Sequence, residues 1–335
     1  MILSTKATVT DRGAIILGKN TACDAFDESK PLRVVTHAHA DHLTGLRQSL
    51  KTSEKILMTK ATKDLIDVLR SPKCLTGGFV ETLDYGRTIQ YDGERLTFFK
   101  ADHILGAAQV LVEDSQGTRI VNTGDFRIDE TPVLDADILV MEATYGSPWC
   151  KRAFNMDVKG LLVSLVEKGL KQGTVYVFGY HGKLQEVMQI LHQAGVEVPF
   201  VAPEKVHQVA RVCENHGMQL GYLIPSEEKE AKEMLETNSS CVAFYHMNCK
   251  SKMSLGRFCI SVSGWEFGLP CRETGDREYT LALSDHSDFN GLIEYVKLSK
   301  PKLVITDSFR VGHAENLAKE IRKRFGILAL ALPKR

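Results

Sequence analysis

The segment "VVTHAHADHLTGL", residues 34–46, sets His37, His39, Asp41 and His42 close together directly behind a β-branched run. Crowding so many titratable groups costs desolvation unless a bound cation or a partner compensates. A side chain on the loop that leaves a strand is held by the sheet yet points into open space, where a metal ligand is both rigid and accessible. The stretch therefore calls for a fold in which several strand ends converge. The same placement recurs downstream. His103 follows "LTFFKA", Asp125 follows "RIVNT" within "TGDF", Glu142 ends "ILVME", and His286 follows "TLAL" within "SDHSDF". Imidazole nitrogens and carboxylate oxygens are the ligand set of zinc, manganese and iron. The H-x-H pair suits one ion, Asp41 and His42 suit a second, and Asp125 is the candidate bridge. Two such ions generate hydroxide near neutral pH and clamp a phosphate through its displacement.

The remaining pattern fits an α/β chain. Strand-length runs lie at 14–17, 32–36, 96–101, 110–113, 119–123 and 138–142, with one clear helix at 60–70. After Gly146 helices and strands alternate: helices at 158–170, 183–195, 205–217 and 226–236, and strands at 174–180, 198–203, 241–247 and 257–264. That alternation predicts a parallel-sheet unit of its own. A strand at 279–285, a helix at 289–299, a strand at 302–307 and a helix at 314–325 close the chain.

At 335 residues with 43% hydrophobic content the chain can bury a substantial core over about two domains. Lys plus Arg equal Asp plus Glu at 42 each, so any nucleic-acid site is a local patch. The opening "MILSTKATVTDRG" lacks the apolar core of a signal peptide, and no apolar run approaches spanning length, so a soluble, cytoplasmic protein is expected. The eight cysteines form no C-x-x-C pair; Cys241, Cys249, Cys259 and Cys271 cluster loosely and read, with Cys74 and the rest, as buried free thiols. His192, His207 and His216 lie in amphipathic helical segments and read as structural, as does His246.

The motifs "THAHADH", "ADHILGAAQV", "TGDF", "MEATYG", "GYHGKLQE", "SGWEF" and "LALSDHSDF" occur in that order from about Thr5 to the last helix. Together they resemble the metallo-β-lactamase-fold β-CASP nucleases. The resemblance implies a four-layer αββα sandwich: residues 1–147 as the first part of the metallo-β-lactamase domain, 148–279 as an inserted α/β β-CASP domain, and 280–335 as the completion of the sandwich. It implies two divalent ions, zinc first and manganese second. His37, His39 and His103 would hold one, Asp41 and His42 the other, and Asp125 would bridge. His286, oriented by Glu142, would act as general acid on the leaving oxygen, with Asp41 beside the reacting centre. Asp24 or Asp27 matches the acid that supports the histidine loop. Nucleic acid in this family threads between the two domains. Lys183 and His181 in "GYHGKLQE" are candidates to contact it, and Trp265 and Tyr145 are placed to stack on a strand.

One position departs from the pattern. RNA-directed members and many short exonucleases of the family carry a further metal-binding histidine after the last strand, where this chain reads "KLVITDSF" and offers Asp307. A carboxylate there would favour a harder ion such as manganese, or the second site is weak; His313 is a remoter substitute. "EATYG" resembles the RNA 3'-end processing branch, whereas "SGWEF" and "LSDHSDF" resemble the short ligase-associated DNA exonucleases. The expectation is thus a nuclease, and first an exonuclease on single-stranded DNA. RNA processing of the 3'-end type is the alternative, and DNA repair or RNA processing proteins would be the partners. A small-molecule ester hydrolase is disfavoured by the insert, and a silent nucleic-acid-binding subunit is suggested only by Asp307.

Overall fold

A computed structural model describes residues 5–70, 75–154, 157–254 and 256–334; Cys74 lies outside the described residues. The chain divides into two compact units, residues 1–151 with 286–335, and residues 152–285.

The first unit contains two sheets. In one, six short strands lie side by side in chain order: β1 (Ala7–Val9), β2 (Ile15–Leu17), β3 (Thr21–Cys23), β4 (Leu32–Val34), β5 (Lys55–Met58) and β6 (Val80–Thr82). The first three run antiparallel and the later pairings are parallel. The second sheet has seven strands. β7 (Thr88–Tyr91), β8 (Glu94–Lys100), β9 (Ala108–Glu113) and β10 (Arg119–Asn122) form a meander, and β11 (Ile138–Met141) joins it in parallel. The late strands β19 (Leu303–Asp307) and β20 (Leu328–Leu332) complete it beyond β11, also in parallel. β9 and β11 are almost wholly buried apolar runs, as expected of strands covered on both faces.

The two sheets face each other across one core, in which Leu17, Val34 and Leu57 meet Phe98, Val110 and Val140. Helices Lys60–Leu69, Phe289–Ser299 and Ala314–Phe325 bury one apolar face each. This is the αββα arrangement of the metallo-β-lactamase fold. Polar clamps join the sheets where loops meet. The buried Glu94 carboxylate accepts from the backbone N–H of Lys19 (2.6 Å) and of Asn20 (3.1 Å), and Lys6 donates to Asp114 at 2.6 Å. Helix 289–299 is pinned by its Tyr295 hydroxyl, which donates to Gln109 near the start of β9.

The second unit is a seven-stranded sheet flanked by helices Val158–Leu170, Lys183–Gln193, Glu204–Asn215 and Lys229–Glu236. Its strands are β12 (Val175–Gly179), β13 (Phe200–Ala202), β14 (Leu223–Pro225), β15 (Val242–His246), β16 (Phe258–Val262), β17 (Cys271–Gly275) and β18 (Glu278–Leu281), arranged β14-β13-β15-β12-β16-β18-β17. All pairings are parallel except β17 with β18. β12, at the centre, is buried at every position. The seven described cysteines are free thiols, but Cys249 and Cys271 are only partly buried, because they sit near the strand ends and edge of this sheet. Among the described residues no helix is long and apolar enough to cross a membrane.

Two carboxylates of the first unit link stability to pH. Asp137 accepts from the Arg119 N–H (2.9 Å) and pairs with Lys302 (2.7 Å), and these interactions hold its pKa below the ordinary value. Burial opposes ionisation of Asp114, but Lys6 and the N–H groups of Thr118 and Gln116 prevail and lower its pKa as well. A carboxylate with a depressed native pKa contributes stability that is complete above its unfolded pKa and is lost as pH falls through the native one. Urea unfolding is therefore expected to show stability falling below about pH 4. Asp137→Asn should cost about 1 kcal/mol at neutral pH and flatten that acid slope.

Candidate metal centre

The histidine loop leaves β4, which lies inside the first sheet between β3 and β5. Its conformation is set by Asp24, a fully buried residue just past β3 whose φ of 62° turns the carboxylate under the loop. Oδ1 accepts from the Thr36 N–H (2.8 Å) and hydroxyl (3.0 Å), and Oδ2 pairs with His42 Nδ1 at 2.9 Å. The Thr36 hydroxyl is also 3.1 Å from His37 Nδ1. Engaging Nδ1 fixes each ring and leaves Nε2 to face the centre. Of the two candidate acids it is Asp24 that supports the loop; Asp27 accepts instead from Ser29 on an exposed turn. Arg33, buried within β4, donates to the His42 carbonyl at 3.1 Å, while its Nε and Nη1 have no hydrogen-bond partner. Burial pulls its pKa down to about 10.

Three ring nitrogens converge. His37 Nε2 lies 3.2 Å from His39 Nδ1, and His103 Nε2 lies 3.0 Å from the same atom. Asp125 Oδ2 stands 3.6 Å from His37 Nε2 and 3.8 Å from His103 Nε2, and the four residues form a metal-capable group. Ligand atoms about 2.1 Å from a shared tetrahedral ion are about 3.4 Å apart, so these spacings fit a divalent cation. Burial and the neighbouring His42 and His103 hold the His37 pKa well below the usual imidazole value, which keeps it in the neutral form a ligand needs.

His42 and Asp41 lie beside this group, though neither belongs to a metal-capable group among the described residues. His42 Nε2 is buried without a hydrogen bond of good geometry, with Asp125 Oδ2 at 3.3 Å and Asp41 Oδ2 at 3.6 Å. Burial and the Arg310 guanidinium oppose its protonation, but Asp125 and Asp24 outweigh them and raise its pKa to about 10. A cation bound at His42 would compete with a proton for Nε2. Asp125 itself is held well below the carboxylate range, because His42 and other imidazoles overcome its burial.

The loops bearing His103 and Asp125 are fastened to each other. Arg127 forms a two-pronged pair with Asp102, Nε to Oδ2 at 2.8 Å and Nη2 to Oδ1 at 3.0 Å, and its N–H donates to the Asp102 carbonyl at 2.6 Å. Gly124 is required before Asp125: its φ is 56°, and a Cβ there would meet the Ala108 carbonyl oxygen at 2.9 Å. Glu142 accepts the Phe126 N–H (2.8 Å) and pairs with His286 Nδ1 at 2.9 Å. His286 is seated by the next residue, Ser287, whose N–H donates to the Phe126 carbonyl (2.7 Å) and whose hydroxyl accepts from Ile128 (2.9 Å). Asp125, Glu142 and His286 form a further close group, and the His286 ring is 4.7 Å from that of His103.

Other candidates are placed differently. Asp307 belongs to no metal-capable group among the described residues; its oxygens accept from the Phe309 N–H (2.8 Å) and from Arg310. His313 caps helix Ala314–Phe325 and packs against Trp149 at 5.0 Å. In the second unit Lys183 is buried and paired with Glu186 (2.8 Å) and Asp285 (3.6 Å), so its charge is already countered. His181 packs 5.1 Å from His246. Tyr145 is buried with its ring 5.7 Å from His286, whereas Trp265 is 45% exposed. Sequence reasoning missed Arg33, Arg310 and the Asp102–Arg127 pair. The signal for Arg33 was a charge inside the apolar run "LRVVT", and for Asp102 an acid directly before a ligand.

A protein named "Uncharacterized protein in lig 3'region" from Acidianus ambivalens is 37% identical over 138 residues, which cover 41% of this chain and 99% of the relative. A protein of Opitutus terrae named "Probable DNA ligase" is 24% identical over 307 residues, 89% of this chain and 28% of its own length. "Endoribonuclease YSH1" of Yarrowia lipolytica is 31% identical over 205 residues, 51% of this chain and 24% of its own. The chain belongs to the β-CASP metallo-β-lactamase family. It spans about a quarter of the length of the two longer relatives. No protein-family model matches it. A crystal structure of a protein of unknown function from Enterococcus faecalis shares the fold, with a TM-score of 0.62 at 16% identity over 93% of this chain and 81% of that one.

The Asp102–Arg127 pair ties together the loops of two candidate ligands. Arg127→Met is expected to weaken metal binding by roughly 10- to 100-fold with the circular dichroism spectrum unchanged, measured as metal retained against a competing chelator.

Proposed function

We propose that the chain is a metal-dependent nuclease that hydrolyses phosphodiester bonds, working as an exonuclease on single-stranded DNA. The observation that carries this reading is the convergence of His37, His39, His103 and Asp125, with Asp41 and His42 adjoining and the Glu142–His286 pair beside them. In this reading the three imidazoles and Asp125 would hold a first ion, and Asp41 and His42 would serve a second. Zinc suits the imidazole-rich first position, and manganese is the alternative at the second. Bound divalent ions supply a nucleophile at neutral pH and neutralise phosphate charge.

The chain's own groups do the rest. Asp24 and Thr36 lock the rings of His42 and His37 so that Nε2 faces inward. Glu142 pairs with His286 Nδ1 and turns Nε2 away from the carboxylate, where it would face the departing oxygen. The compactness of residues 152–285 supports reading them as the β-CASP insert, with bounds a few residues later than 148 and 279.

The substrate reading rests on relatives. Words that tie two of them to DNA ligase and to a "lig 3'region" support DNA, whereas the likeness to an endoribonuclease over half the chain supports RNA processing as the second reading. End-labelled DNA and RNA oligomers digested with zinc and with manganese separate the two and give the direction of digestion. DNA shortened progressively from one end is the expected result; internal cuts in RNA alone would establish the second reading. His37→Ala and Asp125→Ala should abolish cleavage, and His286→Ala should slow it roughly 10²- to 10⁴-fold while metal content stays unchanged. Cleavage of acyl esters with none of polynucleotides would overturn the nuclease reading.

A further inference from the structure

The loop that leaves β11 carries Glu142 and Tyr145 and then comes to the surface. From Glu142 to Ser147 it is buried apart from the half-buried Thr144, whereas Pro148 and Trp149 are exposed, the tryptophan by 59%. A lone apolar side chain at a surface needs no explanation. What sets Trp149 apart is how firmly it is held there. Ser147–Cys150 form a tight turn in which the Cys150 N–H donates to the Ser147 carbonyl at 2.8 Å, and Pro148 fixes φ at its first corner. The buried Ser147 hydroxyl accepts from Asn316 of helix 314–325 at 3.2 Å, and the Cys150 carbonyl accepts from the Phe289 N–H at 3.0 Å. Gly146 admits the neighbouring loop, since a Cβ there would meet the His313 carbonyl oxygen at 2.7 Å, and the indole leans on the His313 ring at 5.0 Å. An indole fixed at both ends of its turn loses little freedom when a planar group settles on it.

The ground beside the turn is positively charged. Phe289, whose N–H holds the turn, is a fully buried ring approached by two cations, Lys151 Nζ at 5.4 Å and the Arg324 guanidinium at 5.2 Å. Arg324 pairs with Glu320 at 2.9 Å, but Glu320 also feels Lys319 and Lys323, so this end of the helix keeps a surplus of positive charge. Positive and negative side chains balance over the whole chain, which makes the surplus a local patch of the kind a polyanion needs. Cations track a sugar-phosphate backbone, and an aromatic face accepts any unpaired base. Bases inside a duplex are stacked on one another and offer an indole nothing. The patch is also near the centre: at most about 14 Å of chain separates Trp149 from Tyr145, whose ring lies 5.7 Å from that of His286.

We propose that Trp149 is a stacking platform for an unpaired base of the substrate, with Lys151 and Arg324 drawing in the adjoining phosphates. The inference rests on the nucleic-acid reading above and deepens it: the substrate is held as a single strand, without regard to which base it presents. Tyr145, which the motif pattern also placed for stacking, is 2% exposed and lies too deep to offer its face.

Equilibrium binding of a labelled single-stranded DNA oligomer to the full chain in chelator tests it without reference to cleavage. Trp149→Ala should weaken binding roughly 5- to 100-fold with the circular dichroism spectrum unchanged, and Trp149→Phe should restore most of the loss. An oligomer lacking bases should bind wild type and Trp149→Ala alike. Lys151→Gln and Arg324→Gln should each lower the slope of log affinity against log salt by about 0.7, a slope that Trp149→Ala leaves unchanged. The chain has two tryptophans, so in Trp265→Phe the emission is that of Trp149 and should be quenched on binding. Equal binding by wild type and Trp149→Ala overturns the proposal and leaves the nuclease reading standing, as does unquenched emission in Trp265→Phe, or a loss in Trp149→Ala as large on blunt duplex DNA as on the single strand. Failure of wild type to bind any polynucleotide overturns the nucleic-acid reading instead.

Discussion

A single buried carboxylate underlies the centre. Asp24 holds the start of the histidine loop through Thr36 and its end through His42, so one side chain spans the whole turn. Without it the loop would have to bury an imidazole and a backbone N–H with no acceptor, each costing about 1–3 kcal/mol. Its own burial is made tolerable by the charges around it: His42 and Arg310 hold its pKa below the ordinary carboxylate value even though desolvation acts the other way. The rings of His37 and His42 are thus oriented through Nδ1, by Thr36 and by Asp24.

A second level of support lies between loops rather than within them. His103 and Asp125 come from different strands of the second sheet, and the Asp102–Arg127 fork keeps them in register. Glu142, at the end of β11, fixes the Asp125 loop through Phe126 and the His286 ring with the same carboxylate. Buried pairs of this kind are weak contributors to net stability but strong constraints on geometry when every lone pair is used.

Much of this was legible in the sequence. The candidate ligands His37, His39, His103 and Asp125 could be read as a set because each lies on a loop that leaves a strand-length run, and strand ends on one sheet edge are close in space. Helices 289–299 and 314–325 fall where their periodicity places them. The short strands Ala7–Val9, Thr21–Cys23, Lys55–Met58 and Val80–Thr82 escaped notice, since three or four residues carry too little alternation to stand out and are fixed by their neighbours in the sheet. β20 was hidden for another reason: "LALAL" follows a helix and reads equally well as its continuation. Lys183 looked like a phosphate contact because it opens a helix, but only coordinates show two carboxylates already beside it. Asp307 looked like a ligand by position, and its partner Arg310 could not be inferred from a residue three places on in a loop.

The first unit is assembled from two stretches of chain separated by more than a hundred residues. β19, from the later stretch, pairs with β11, and His286, also late, pairs with Glu142 at the end of β11. During synthesis on the ribosome the imidazoles of positions 37, 39 and 103 emerge long before that of position 286. Until the later stretch arrives, β11 is a border of the second sheet and the Glu142 carboxylate waits for its imidazole partner.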